Sequence, residues 1–154
     1  MIPRVRFQNK EQVPFVKELR KRVNGYFKEN KISRNANAHM VVKTIAMFLL
    51  YLIPYAFVYT GILSGGWAVL LALTMGIGMA GIGMNVMHDA NHGAYSSNPK
   101  VNNLIGICIH LIGGDVYNWK VQHNILHHTY TNIDGLDGDI HQDQVWGRNL
   151  DNYL

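Results

Sequence analysis

From residue 44 to residue 87 this chain carries no charged side chain. So long an uncharged run has two outlets, the interior of a large helical protein or a lipid bilayer. It resolves into two apolar segments. The first, Val41 to Tyr59, reads VVKTIAMFLLYLIPYAFVY. As a helix its nineteen residues would cover ~28 Å, close to the thickness of a bilayer's hydrocarbon core. Lys43 stands near its start, where the ammonium can snorkel to the interface, and Pro54 predicts a kink that membrane helices tolerate. The second, Trp67 to Met87, reads WAVLLALTMGIGMAGIGMNVM, with glycines at 76, 78, 81 and 83. In water those glycines would weaken a helix; in a membrane they let a neighbouring backbone approach. The reading is an all-α integral membrane protein built on a transmembrane helical hairpin.

Charge places the hairpin. Residues 1–43 hold eleven Lys and Arg against three Glu, a net of +8, and residues 88–154 hold three Lys and Arg against seven Asp, a net of −4. A basic arm directly before an apolar span fits a juxtamembrane segment better than a nucleic-acid site, so no nucleic-acid partner is expected. By the positive-inside rule the N-terminus is cytoplasmic, the turn at 60–66 is outside, and the second span returns at His88. Within the arm (residues 1–40), Phe15, Val16, Leu19, Val23, Tyr26 and Phe27 recur at helical spacing among Lys17, Arg20, Lys21 and Lys28. That pattern predicts an amphipathic helix from about Val13 to Phe27, lying on an anionic leaflet or on the protein's own surface, with Asn24-Gly25 a possible interruption. There is no cleavable signal peptide in the polar first thirty residues. Cys108 is the single cysteine, so no intrachain disulfide forms.

Five histidines follow the hairpin in two clusters, His88-Asp89-Ala90-Asn91-His92 and His123-Asn124-Ile125-Leu126-His127-His128. Residues i and i+4 share a helix face, so His88 can act with His92 and His123 with His127, while His128 adds a neighbouring donor. Imidazole is the commonest metal ligand. Five are more than one structural zinc takes, which suggests a polynuclear, nitrogen-rich site at the membrane edge. Val101 to Gly113, between the clusters, is too short to span and reads as an interfacial helix that leaves both clusters on the cytoplasmic side. Tyr117 and Trp119 suit an interface.

The two boxes, HxxxH and HxxxHH, with the surrounding HDANHGAYS and WKVQHNILHHTYTN, resemble the membrane fatty acid desaturases. The likeness is greatest to the acyl-CoA and front-end (linoleoyl-CoA, delta-6 type) branch, and it runs from the basic arm to about Ile140. It implies two non-haem iron ions that activate O2 and introduce a cis double bond into a long acyl chain on CoA or a lipid. It also implies that His88, His92, His123, His127 and His128 are iron ligands. The family's third histidine box and second hairpin have no counterpart; His141-Gln142-Asp143-Gln144 does not fit the box. Residues 41–154 therefore read as the N-terminal half of a desaturase domain, inactive alone, in a bacterial inner membrane or the endoplasmic reticulum. No HPGG haem motif is present, so the resemblance implies a separate electron donor, ferredoxin or cytochrome b5.

Asp89 and Asn91 are candidates to orient ligand imidazoles, and His110 is either a satisfied histidine of the short helix or a further ligand. Asp134, Asp137 and Asp139 either support the second box, face the electron donor or shape a turn. Trp119 and Lys120 stand as candidates for the acyl entrance. Other readings of the boxes are a diiron membrane hydroxylase of lipids or alkanes, an integral-membrane zinc hydrolase and a bis-histidine haem protein.

Overall fold

The computed structural model describes residues 12–63, 65–133 and 135–139, and every regular element among them is helical. Helix α1 spans Val13–Glu29 and α2 spans Ala38–Thr60. Helix α3 runs Gly66–Asn91, as α-helix over Gly66–Gly81, as a wider π-helix over Ile82–Met87 and as α-helix again over His88–Asn91. Helix α4, Pro99–Gly106, passes into a 3-10 segment, Ile107–Ile112. Helix α5 starts at Val116–Trp119, turns π-helical over Lys120–His127 and closes with the turn His128–Tyr130.

Local chemistry explains most of these limits. The Asn37 side chain accepts from Met40 N at 3.0 Å and caps α2. Gly61, at φ +66°, ends it in the left-handed conformation that glycine adopts without steric cost. The helix continues through Pro54, which is buried. The interruption expected at Asn24-Gly25 does not occur. One interior glycine costs only about 1 kcal/mol, and the last turn is held by Asn30 Nδ2 donating to Tyr26 O at 2.8 Å.

α2 and α3 pack against each other where α3 is rich in glycine. A Cβ at Gly78 would lie 2.6 Å from Tyr51 N and 2.8 Å from the Leu50 carbonyl carbon, and one at Gly81 would strike the Met47 side chain. The two backbones thus approach as closely as the glycine pattern suggested. Gly78→Ala should separate the helices and cost about 1–3 kcal/mol, as overpacking does. Gly76→Ala, where a Cβ meets nothing within 4 Å, should change little. Thermal unfolding of the two variants in detergent checks this.

Both helices are long and apolar enough to cross a membrane, and only 11% of the most apolar window of each is buried. The outward side chains, among them Leu49, Ile53, Leu70, Leu73 and Ile77, are exposed. The buried core lies at the histidine end instead. There the π segment of α3 supplies Ile82, Val86 and Met87, which meet Cys108 and Ile109 of the 3-10 segment and Tyr51 of α2. Tyr51 Oη donates to Leu111 O at 2.7 Å and fastens α2 to that segment. Lys43, expected to snorkel, is exposed and its Nζ donates to Asn85 Oδ1 at 2.9 Å. The well-packed end of the molecule is therefore the end that carries the boxes.

Candidate metal centre

α3 does not stop at Met87, as the apolar pattern suggested, but carries His88 as its next residue. His92 N donates to His88 O at 3.0 Å, so the i, i+4 relation holds, and the two ring centroids are 4.5 Å apart. Gly93 then turns the chain at φ +73°.

The second box is wound differently. In an α-helix at ~100° per residue, His128 would sit ~140° around from His123 and face away. Lys120–His127 is π-helical, and His128 N donates to His123 O across five residues. The wider turn brings residues five apart toward one face. His123, His127 and His128 consequently share a cluster, with centroid separations of 5.0 Å for 123–127, 5.0 Å for 123–128 and 5.4 Å for 127–128.

The two boxes meet. His123 lies 5.0 Å from His88 and 5.1 Å from His92 by ring centroid, and His92 lies 4.9 Å from His128. The nitrogens that His88, His92 and His123 offer fall within 4.8 Å of one another. Trp119 stacks on His123 at 4.6 Å and also edges His88 and His92. It closes one side of the cluster, whereas Tyr117 is exposed.

Carboxylates back the imidazoles. His123 Nδ1 is 2.5 Å from Asp139 Oδ2, His127 Nδ1 is 2.9 Å from Asp137 Oδ1, and His88 Nδ1 is a longer 3.4 Å from Asp89 Oδ1. Asp137 has no exposed side-chain surface. Burial works to raise its pKa, but N–H donors outweigh that and hold the carboxyl below its ordinary range: Asn132 N, the His127 ring and Asp139 N. A carboxylate at Nδ1 fixes the proton there and leaves Nε2 as a lone pair. His88 Nε2 and His123 Nε2 face each other at 3.1 Å. At that distance the two nitrogens share one proton in the metal-free protein or turn together to a common cation, so this donor set fits a metal. Neutral imidazole suits iron as well as zinc and copper. A second grouping, His123, His127 and Asp139, has the same compactness and shares His123.

His92 is held neutral. Its pKa falls from 6.5 to about 4, through burial first and then through His88, His123 and His128. The unfolded chain therefore takes up a proton between about pH 6.5 and 4 that the folded chain refuses. The contribution to stability is complete above that window and is lost as pH falls through it. Metal-free protein should melt progressively earlier from pH 6.5 to pH 4, and a His92→Gln variant should show a shallower decline.

Asn91 touches no box ring through the contacts it makes. It is buried, its Nδ2 donates to Gly106 O at 3.2 Å, and its own carbonyl accepts from Asn124 Nδ2 at 3.1 Å. It ties the first box to α4 and to the second box. A Cβ on Gly106 would come within 2.5 Å of Asn91 Oδ1. Gly106→Ala should thus displace Asn91 and lower metal affinity without altering any ligand, as metal titration would show. His110 is exposed, and its Nδ1 bonds Gly114 O at 2.9 Å, away from the ring contacts that join the cluster. Asp134, His141, Gln142, Asp143 and Gln144 lie outside the described residues.

The structure thus joins two helices long and apolar enough to cross a membrane to a cluster of histidines, backed by carboxylates, that could hold a metal. The family model described as fatty acid desaturase matches residues 64–154, and the chain belongs to the fatty acid desaturase family. It is 41% identical over 135 residues to the sn-1 linoleoyl-lipid 6-desaturase of Arthrospira platensis, covering 88% of this chain and 37% of that protein. The enzyme of the same name from Synechocystis sp. is 38% identical over 140 residues, 91% of this chain and 38% of that one. An acyl-lipid (8-3)-desaturase of Physcomitrium patens is 31% identical over 134 residues, 87% and 28%. The chain spans little more than a third of the length of the first two relatives. No solved structure matches it. The family favours desaturase chemistry over the zinc hydrolase, hydroxylase and haem readings.

Proposed function

We propose that this chain is the membrane-anchored, metal-binding portion of an acyl-lipid desaturase that places a cis double bond in a long acyl chain. The observation that carries the reading is the convergence of His88, His92, His123, His127 and His128 at the end of the apolar helix pair. The names of the relatives favour a lipid over CoA as the acyl carrier.

In this reading the five imidazoles hold two iron ions, and further ligands come from chain corresponding to the rest of the relatives' length. Bound iron supplies the redox chemistry that lets O2 remove hydrogens from adjacent methylenes. The chain's own residues hold that chemistry in place. Asp137 and Asp139 keep Nδ1 protonated on His127 and His123, so that each presents Nε2. Trp119 excludes water from one side of the cluster, and the low pKa of His92 keeps it neutral and ready to ligate. Residues 41–59 and 67–87 form the two spans of the hairpin in the bilayer, with α1 and both boxes on the cytoplasmic side. Eleven basic residues before residue 44 and the exposed apolar faces of α2 and α3 support that orientation. Electrons arrive from a separate donor, ferredoxin or cytochrome b5.

The test is product analysis. Membranes containing the whole protein, a linoleoyl glycerolipid, O2 and a reductant should yield an alkene, and His88→Ala should yield none. A hydroxylated product, or unchanged desaturation in His88→Ala, would reject the proposal.

A further inference from the structure

A second polar space adjoins the cluster. A cavity of about 380 Å³ lies between the end of α3, the first turns of α4 and Lys120, lined by Asn35, His92, Ser97, Asn102, Asn103 and Lys120 among others. Its walls are mostly amides and hydroxyls. Two of those amides are already engaged. Asn102 bridges Ser96 N and Ser96 O, each at 2.7 Å, and Asn35 Nδ2 donates to Ala94 O at 3.0 Å. The side chains of Lys120 and Asn103 make no hydrogen bond or salt bridge among the described residues. Lys120 is half-buried, and an ammonium that gives up hydration without a partner is poorly compensated. The cavity therefore offers a fixed wall, two open donors and no competing acid, with a candidate metal ligand as one of its lining residues.

The chemistry of the proposed reaction has a matching need. If the double bond goes to carbon 6, as in the names of the two cyanobacterial relatives, it begins five bonds from the ester carbon, at most about 7–8 Å of chain at ~1.5 Å per bond. The polar end of such a substrate must lodge beside the metal cluster. We propose that this cavity receives the carboxyl-ester end of the acyl lipid, with Lys120 and Asn103 donating to its oxygens, and that this anchoring fixes which carbons reach the cluster. The inference rests on the desaturase reading but goes further, in giving the substrate a site and Lys120 a positioning role.

A photocrosslinking residue in place of Ser97, which lines the cavity and is exposed, tests occupancy without turnover. In membranes carrying the whole protein, with a glycerolipid bearing linoleoyl at sn-1 as the probe, the expected result is a cross-link to that lipid. Lys120→Met should reduce its yield about tenfold, the effect of losing one charge-assisted hydrogen bond, and Lys120→Arg should restore most of it. Metal content should be unchanged in both variants. In turnover, Lys120→Met should raise KM and spread the double-bond position. No lipid cross-link from position 97, or unchanged KM and bond position in Lys120→Met with metal bound, overturns the site. Lipid capture without any alkene supports the site and rejects the desaturase reading instead.

Discussion

His123→Ala is expected to abolish stoichiometric metal binding while leaving the helices intact. His123 is the residue through which the two boxes meet. Its ring contacts His88, His92, His127, His128 and Trp119, and it belongs to both compact ligand groupings. Removing it takes a nitrogen from each. The loss of affinity should exceed the roughly 10- to 100-fold typical of outer partners. Its contribution to folding is small by comparison, because the buried core is made by Ile82, Val86, Met87, Cys108, Ile109 and Tyr51. Anaerobic Co(II) titration followed by visible absorption, beside circular dichroism, separates the two effects. His110→Ala is the control, and should bind metal as the parent does.

Asp137→Ala is the second large effect, and it should act on both stability and metal. The carboxylate is fully buried and accepts from the His127 ring, Asn132 N and Asp139 N. Truncation leaves the buried donors without an acceptor, which costs more than the bonds themselves contribute. Asn132 sits at φ +64°, a left-handed conformation that asparagine tolerates, and Asp137 fixes that turn by accepting from its N–H at 2.8 Å. Once that turn loosens, Asp139 and hence His123 also lose their setting. Metal affinity should fall about 10- to 100-fold, the range for outer partners of ligand histidines, and the melting temperature should fall as well. Asp137→Asn, which keeps the shape, should recover more stability than metal affinity. Its amide can accept from backbone N–H groups but does not hold the Nδ1 proton of His127 as a carboxylate does. Equal recovery of both would argue that Asp137 only shapes the turn.

The apolar half of the architecture was legible because a charge-free run and its glycines are direct statements about solvent and packing. Segments 41–59 and 67–87 fall within Ala38–Thr60 and Gly66–Asn91. The short helix expected at 101–113 is the α-helix and 3-10 segment over Pro99–Ile112. Helical spacing also paired His88 with His92. The wider winding at Ile82–Met87 and Lys120–His127 was not legible. Nothing in local composition distinguishes a π turn from an α turn. The sequence offered His128 as a neighbouring donor without showing the winding that turns it to His123. Asp137 and Asp139 look like ordinary turn residues beside glycine. Their hold on His127 and His123 comes from the chain folding back, at separations of 10 and 16 residues. The stacking of Trp119 on His123 was not legible either, since an aromatic near an apolar segment gives no sign of which ring it covers.

The most direct test of the central claim is X-ray absorption at the iron edge, on the detergent-purified 154-residue chain loaded anaerobically with Fe(II). The account predicts a first shell dominated by nitrogen, with the outer scattering of imidazole rings, and the loss of that signature in His123→Ala. An oxygen-only shell without imidazole scattering, or a spectrum unchanged by His123→Ala, would contradict it.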